Sequence, residues 1–178
     1  LLVRFLKWRY KHISNKHFIS IASAVIGLLT GLVAVTIKNL THFIQELLEG
    51  EFIREIHNVF YFIFPIIGLF LVLLSIKYVV KKPVEPGIPS TLYAISKLKG
   101  LMPRRMMWAS LLTAPLTVGF GGSVGLEGPT VATGAAIGSN FSRLFHLNQT
   151  TRTLLIGAAA AGTMASIFKA PIAAIVFA

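Results

Sequence analysis

The sequence predicts an all-α integral membrane protein made of tilted and discontinuous helices. Three observations lead there. Long apolar runs carry no charge, over residues 18–37, 59–76 and 106–126. Charged residues make up 13% of the 178-residue chain, against about 25% in soluble domains. Two Gly/Pro-rich breaks each open a short apolar helix, at 83–89 and 119–129.

Each element follows from its residues. Residues 1–16 alternate basic and apolar positions, and in a helix Leu2, Phe5, Leu6, Arg9 and Tyr10 would form one face. This predicts a basic amphipathic segment at the membrane surface, with a disordered basic tail as the other reading. The first run is 20 residues long and the second 18; a bilayer core of about 30 Å needs about 20 apolar residues. They predict spanning helices over 18–48 and 58–80. Gly27 and Gly31 lie four apart, a spacing that lets another helix approach closely; the other reading is that glycines are simply common in membrane helices. Pro65 is expected to kink the second helix. Pro83, Pro86 and Pro89 then interrupt the chain, and a helix follows over 89–98.

A further helix is expected over 104–118, then a second break at Gly119, Gly121, Gly122, Gly125 and Gly128. A helix over 129–144 contains another close-packing pair, Gly134 and Gly138. A helix over 149–166 carries Ala158 to Ala161 in a row, and Pro171 starts the last. Short Gly-rich helices of this kind sit tilted and buried in protein rather than facing lipid.

Charge gives an expected orientation. Residues 1–17 hold Arg4, Lys7, Arg9, Lys11 and Lys16, with no acid. Residues 41–58 hold four glutamates against Arg54. Residues 77–105 hold seven basic side chains against Glu85. Basic flanks stay in the cytoplasm, so the N-terminus and 77–105 are expected inside and 41–58 outside. The first two spans then form an antiparallel hairpin.

Several classes find no support. The net charge of +11 flanks apolar runs without interleaved aromatics, which fits attraction to anionic membrane lipid better than nucleic acid. No Cys is present, so no disulfide or thiolate metal site forms. His12, His17, His42, His57 and His146 show no ligand spacing and are expected at membrane-water boundaries. The Gly-rich stretch lacks the Gly-Lys-Ser/Thr of a P-loop and the spacing of a dinucleotide fingerprint. No enzyme and no cofactor are expected. The opening is not expected to be a cleavable signal peptide, since its apolar stretch is too long and no small-residue cleavage site follows. Leu1 in place of Met, and an apolar run reaching Ala178, lead us to expect a piece of a longer protein.

Glu127 is the most informative residue. It is the only acid after residue 85, and an ionisable group at membrane depth is a functional candidate. Pro129 suits the first turn of a helix, which puts Glu127 at a helix N-terminus, where free N–H groups favour negative charge. The plainer reading is a structural capping carboxylate. Gly125 and Gly128 strip side chains from its surroundings and let a small ion come close. Glu85-Pro86-Gly87-Ile88-Pro89 marks a second such helix start, and its amides form a second candidate anion site. Discontinuous helices with N-termini turned toward an anion are a transporter device.

Gly125-Leu126-Glu127-Gly128-Pro129 resembles the Gly-Lys/Arg-Glu-Gly-Pro signature of the CLC family of chloride channels and chloride/proton antiporters. Gly87-Ile88-Pro89 resembles the end of that family's Gly-Ser-Gly-Ile-Pro signature. Residues 153–162 and 168–174 resemble its next two helices. The likeness covers roughly residues 18–178. It implies that 17–178 form the first inverted repeat of the CLC transmembrane domain, cut short at the C-terminus. It also implies a homodimer with one anion pathway per subunit, and a missing second half that completes each pathway. Glu127 would be the gating glutamate: ionised, it occupies an anion site; protonated, it swings away. Pro86, Gly87, Ile88 and Pro89 would line the inner or central anion site. Gly125, Leu126, Gly128 and Pro129 would line the outer one. The transported ion would be chloride or nitrate, with protons as partner in an antiporter, in a prokaryotic inner membrane.

The sequence departs from the family pattern at three places. Pro86 stands where chloride-selective members have Ser, removing a hydroxyl and an N–H; members with Pro there are similar to nitrate-preferring exchangers. Leu126 replaces the basic residue before the glutamate. Glu85 replaces the first Gly of its signature, and either discourages anions at the inner mouth or pairs with Lys81 or Lys82. Channel and antiporter both remain open. The rival readings are a cation-coupled transporter of another fold, with Glu127 as cation ligand, and a structural membrane subunit.

Overall fold

The computed structural model describes residues 14–48, 60–84 and 87–177. Among them the regular elements are helical: α1 (Asn15–Leu48), α2 (Phe60–Ser75), α3 (Gly87–Lys97), α4 (Met106–Gly119), α5 (Glu127–Leu144), α6 (Gln149–Phe168) and α7 (Pro171–Phe177). α2 continues as a π-helical turn, Ile76–Val80, closed where the Lys81 N–H donates to the Ile76 carbonyl with Lys81 at φ 58°. The proposed surface segment lies outside the described residues up to 13, as do His12, His57, Glu85 and Pro86.

Among the described residues, three helices are long and apolar enough to cross a membrane: Asn15–Leu48, Ile63–Val80 and Gln149–Phe168. At 1.5 Å per residue, α1 is about 51 Å long, well beyond a hydrocarbon core of about 30 Å. It buries one narrow seam, Phe18, Ala22, Ile26, Thr30, Ala34, Ile37 and Thr41. That three- and four-residue spacing is one face of a helix. The remaining faces expose Leu28, Leu32 and Phe43, apolar side chains suited to lipid. α4 measures only about 21 Å by the same rise, too short to span.

α5 is the central helix. Residues Thr130 to Ala136 are all buried, as are Gly138, Ser139, Asn140 and Ser142. It packs against α6, α4 and α3, while α6 also packs along α1. Because lipid removes the hydrophobic drive between helices, such contacts rely on close backbone approach. A Cβ on Gly134 would lie 2.6 Å from Thr163 Cγ2, and one on Gly138 2.6 Å from the Leu155 carbonyl oxygen. On the α1 side, a Cβ on Gly162 would lie 2.8 Å from the Gly27 carbonyl oxygen and 2.9 Å from its Cα. Both expected glycine pairs therefore lie in helix crossings, though Gly27 contributes through its backbone and has open space around its own Cβ position.

α1 and α2 share α4 as a neighbour instead of packing along each other. The end of α4 is wedged in: Gly119 meets Ile44 of α1, and Gly68 of α2 admits Phe120. The far end of α3 is tied to the bundle by polar contacts. Lys99 and Gly100 both adopt positive φ, and the Gly100 N–H donates to the Ala94 carbonyl at 2.7 Å. Ser139 Oγ donates to the Gly100 carbonyl at 2.6 Å and accepts from the Met102 N–H at 3.0 Å. Asn140 Nδ2 donates to the Met102 carbonyl, and Arg152 Nη1 donates to the Lys99 carbonyl.

Candidate functional site

The two Gly/Pro breaks converge. Gly87 opens α3 and Glu127 opens α5. A Cβ placed on Gly87 would collide with the Gly128 carbonyl oxygen, and would lie 2.5 Å from its carbonyl carbon and 2.7 Å from its Cα. The two helix starts therefore abut backbone to backbone. Only glycine at 87 permits this.

The two starts are built alike. Pro89 and Pro129 each hold the third helical position, where the missing proline N–H is no loss. Hydroxyls in the first turn fold onto carbonyls. Ser90 Oγ donates to the Gly87 carbonyl at 2.8 Å, and Thr130 Oγ1 donates to those of Leu126 and Glu127 at 2.7 and 3.0 Å. These hydroxyls leave the first N–H groups alone, and Leu126, the residue before α5, supplies no side-chain cap. Uncapped N–H groups and the positive end of the helix dipole attract anions.

A cavity of about 110 Å³ lies beside this junction. Water takes about 30 Å³ in the liquid, so the space suits a few waters or one small anion. Gly87, Gly125 and Pro129 line it from the breaks, with Val84 and Val124 at their flanks. Ser110, Thr113 and Thr117 of α4 line the opposite wall. The sequence reading missed these three. Their signal was a 3, 4 spacing of hydroxyls along a helix that is otherwise apolar.

Glu127 is half-buried. Its side chain folds back over Gly125, so that a Cβ there would collide with Oε2 and lie 2.8 Å from Cδ. Gly125 thus makes room for the carboxylate, and is itself part of the cavity lining. Gly128 supplies the contact to Gly87. Ile88 is half-buried and packs on the cluster of Val131, Ala160, Met164 and Ala174, so its side chain anchors α3. Pro89 is exposed and lines a separate groove with Tyr93, Met102 and Met106. Pro86 lies outside the described residues. Among the described residues no cluster of three or more His, Cys, Asp or Glu side chains forms. His17, His42 and His146 are all exposed, and His17 Nδ1 lies 2.7 Å from Ser14 Oγ.

Residues 67–178 match the family model described as voltage gated chloride channel. Curated relatives include the H(+)/Cl(-) exchange transporter ClcA of Salmonella arizonae and that of Salmonella newport. Each is 30% identical over 167 residues, covering 89% of this chain and 35% of the relative. The same transporter of Salmonella schwarzengrund is 30% identical over 163 residues, covering 87% of this chain and 34% of the relative. The chain spans about a third of the length of these relatives.

Proposed function

This chain belongs to the voltage gated chloride channel family, and from that premise we propose that it forms one half of a membrane pathway for chloride or nitrate, with Glu127 as gate. The observation that carries this reading is the abutment of Gly87 on Gly128. It sets two N-terminal helix ends against one small cavity, and the Glu127 carboxylate folds over Gly125, one of the residues that line it. A bare anion at that place gains from the positive ends of both helices and from the Ser110 hydroxyl of α4, since Thr113 and Thr117 donate to carbonyls of their own helix. A carboxylate at the same place gains from the same potential. The two therefore compete. Protonation neutralises the carboxylate, releases its hold, and lets the anion move through.

This mechanism couples proton and anion movement in an antiporter, and it opens the pore in a channel. The relatives named above are exchange transporters, which favours proton exchange. A second set of helix ends from another half, and a second copy of the subunit, complete the assembly in this proposal. The basic segment 77–105 faces the cytoplasm, as does the N-terminus. Transport rather than chemical conversion is the proposed activity.

Anion and proton flux from liposomes holding the complete protein tests the reading. Glu127→Gln is expected to keep anion flux while abolishing proton movement, or to hold a channel open. Unaltered coupling and gating would rule the gate out.

A further inference from the structure

A groove of about 650 Å³ runs along the outside of the bundle, away from the cavity at Gly87 and Gly128. Its floor is apolar: Leu29 of α1, Met107 of α4, and Ile137, Phe141 and Leu144 of α5. Its end is basic, formed by Arg104, Arg143 and His146. None of the lining residues is acidic. From these features we infer that the groove binds one anionic phospholipid, its phosphate held by Arg104 and Arg143 and an acyl chain laid along the apolar floor.

Position, chemistry and preorganisation support this occupant. Leu29 lies on the outward face of α1, beside exposed Val25, Leu28 and Leu32. The groove therefore opens onto the side of the molecule where hydrocarbon would lie. Arg104 lies two residues before α4, Arg143 is in the last turn of α5, and His146 follows that helix. Lys97, Lys99 and Arg152 lie at this same end of the bundle. That is where helices leave the bilayer and where headgroup phosphates sit. Arg143 is held in advance: its Nη2 donates to Asn140 Oδ1 at 2.6 Å, while Asn140 Nδ2 donates to the carbonyls of Met102 and Ala136. The bond to Asn140 uses one of the five guanidinium N–H groups. A planar guanidinium so fixed suits bidentate binding of phosphate. Stabilising the end of the α5 dipole would account for Arg143, but leaves Arg104 and the apolar floor unexplained.

The test is native mass spectrometry of the complete protein released from mixed phosphatidylglycerol and phosphatidylcholine micelles. The native protein is expected to retain phosphatidylglycerol about thirty-fold over phosphatidylcholine, the scale expected for two basic side chains at a membrane surface. Arg104→Gln alone should lower that preference severalfold. Arg104→Gln with Arg143→Gln should abolish it. Leu29→Trp, which fills the floor and leaves both charges, should lower retention of either lipid. Lys97→Gln with Lys99→Gln, on the same end but outside the groove, should change nothing. Equal retention of the two lipids by the native protein overturns the site. So does a preference that survives Arg104→Gln, or one that falls equally in the two-lysine variant, since that is diffuse attraction. Displacement by millimolar glycerophosphate would show a free-phosphate site and overturn the lipid as occupant. Because none of these readings depends on ion flux, failure here is separable from failure of Glu127 as gate.

Discussion

Gly87 and Gly128 touch through their backbones, although 41 residues (128 minus 87) separate them in the chain. A methyl group at 87 meets peptide atoms of Gly128, which cannot swing aside as a side chain would. Gly87→Ala is therefore expected to cost about 1–3 kcal/mol by overpacking. It should also part the two helix starts. Thermal unfolding in detergent would show the lowered stability, and anion binding by calorimetry would weaken. Native-like values for both would contradict the close contact.

The crossing of α1 and α6 makes an asymmetric prediction. Gly162→Ala places its methyl 2.8–2.9 Å from the backbone of Gly27, and about 1–3 kcal/mol of stability should be lost. Gly27→Ala finds nothing within 4 Å. Alanine is the better helix former by about 1 kcal/mol, so this variant should be neutral or more stable. The two melting temperatures, measured side by side, check the order.

Ser139→Ala removes one hydroxyl and strands two buried partners, the Gly100 carbonyl and the Met102 N–H. Each orphaned buried group costs about 1–3 kcal/mol. The variant should unfold at a clearly lower temperature. Ser142→Ala, whose hydroxyl donates only to the Gly138 carbonyl within its own helix, should be much milder.

Pro86→Ser tests the selectivity proposed from the sequence. Serine restores an N–H and a hydroxyl beside Gly87, and small dehydrated anions gain most from added donors. Chloride permeability relative to nitrate is expected to rise severalfold in liposome flux. An unchanged ratio would remove Pro86 from the account of selectivity.

Much of this architecture was legible from particular residues. Pro89, Pro129 and Pro171 marked helix starts within a few positions, since a proline belongs in a first turn. Glu127 was placed at a helix N-terminus from Pro129 alone. The pairs Gly27/Gly31 and Gly134/Gly138 both fall at crossings, though for Gly27/Gly31 the spacing alone was equally compatible with glycine's general frequency in membrane helices. Other features were invisible for physical reasons. The π-helical turn at Ile76–Val80 leaves no mark in an apolar run that reads as helix throughout. The contact of Gly87 with Gly128 is tertiary, and local spacing carries no trace of it. Ser110, Thr113 and Thr117 were readable as a stripe, but hydroxyls inside membrane helices usually satisfy their own backbone, as Thr113 and Thr117 do here. Pro89 shared a motif with Gly87, yet helical rotation turns it into a different groove.

The ties on Gly100 and Met102 have a consequence for motion. α3 is pinned to α5 at its start through the two glycines, and just beyond its end through Ser139 and Asn140. Two rods clamped at both ends have no hinge between them. In the proposed gate, the part that moves at their shared mouth is therefore the Glu127 side chain, and the scaffold that presents it stays still.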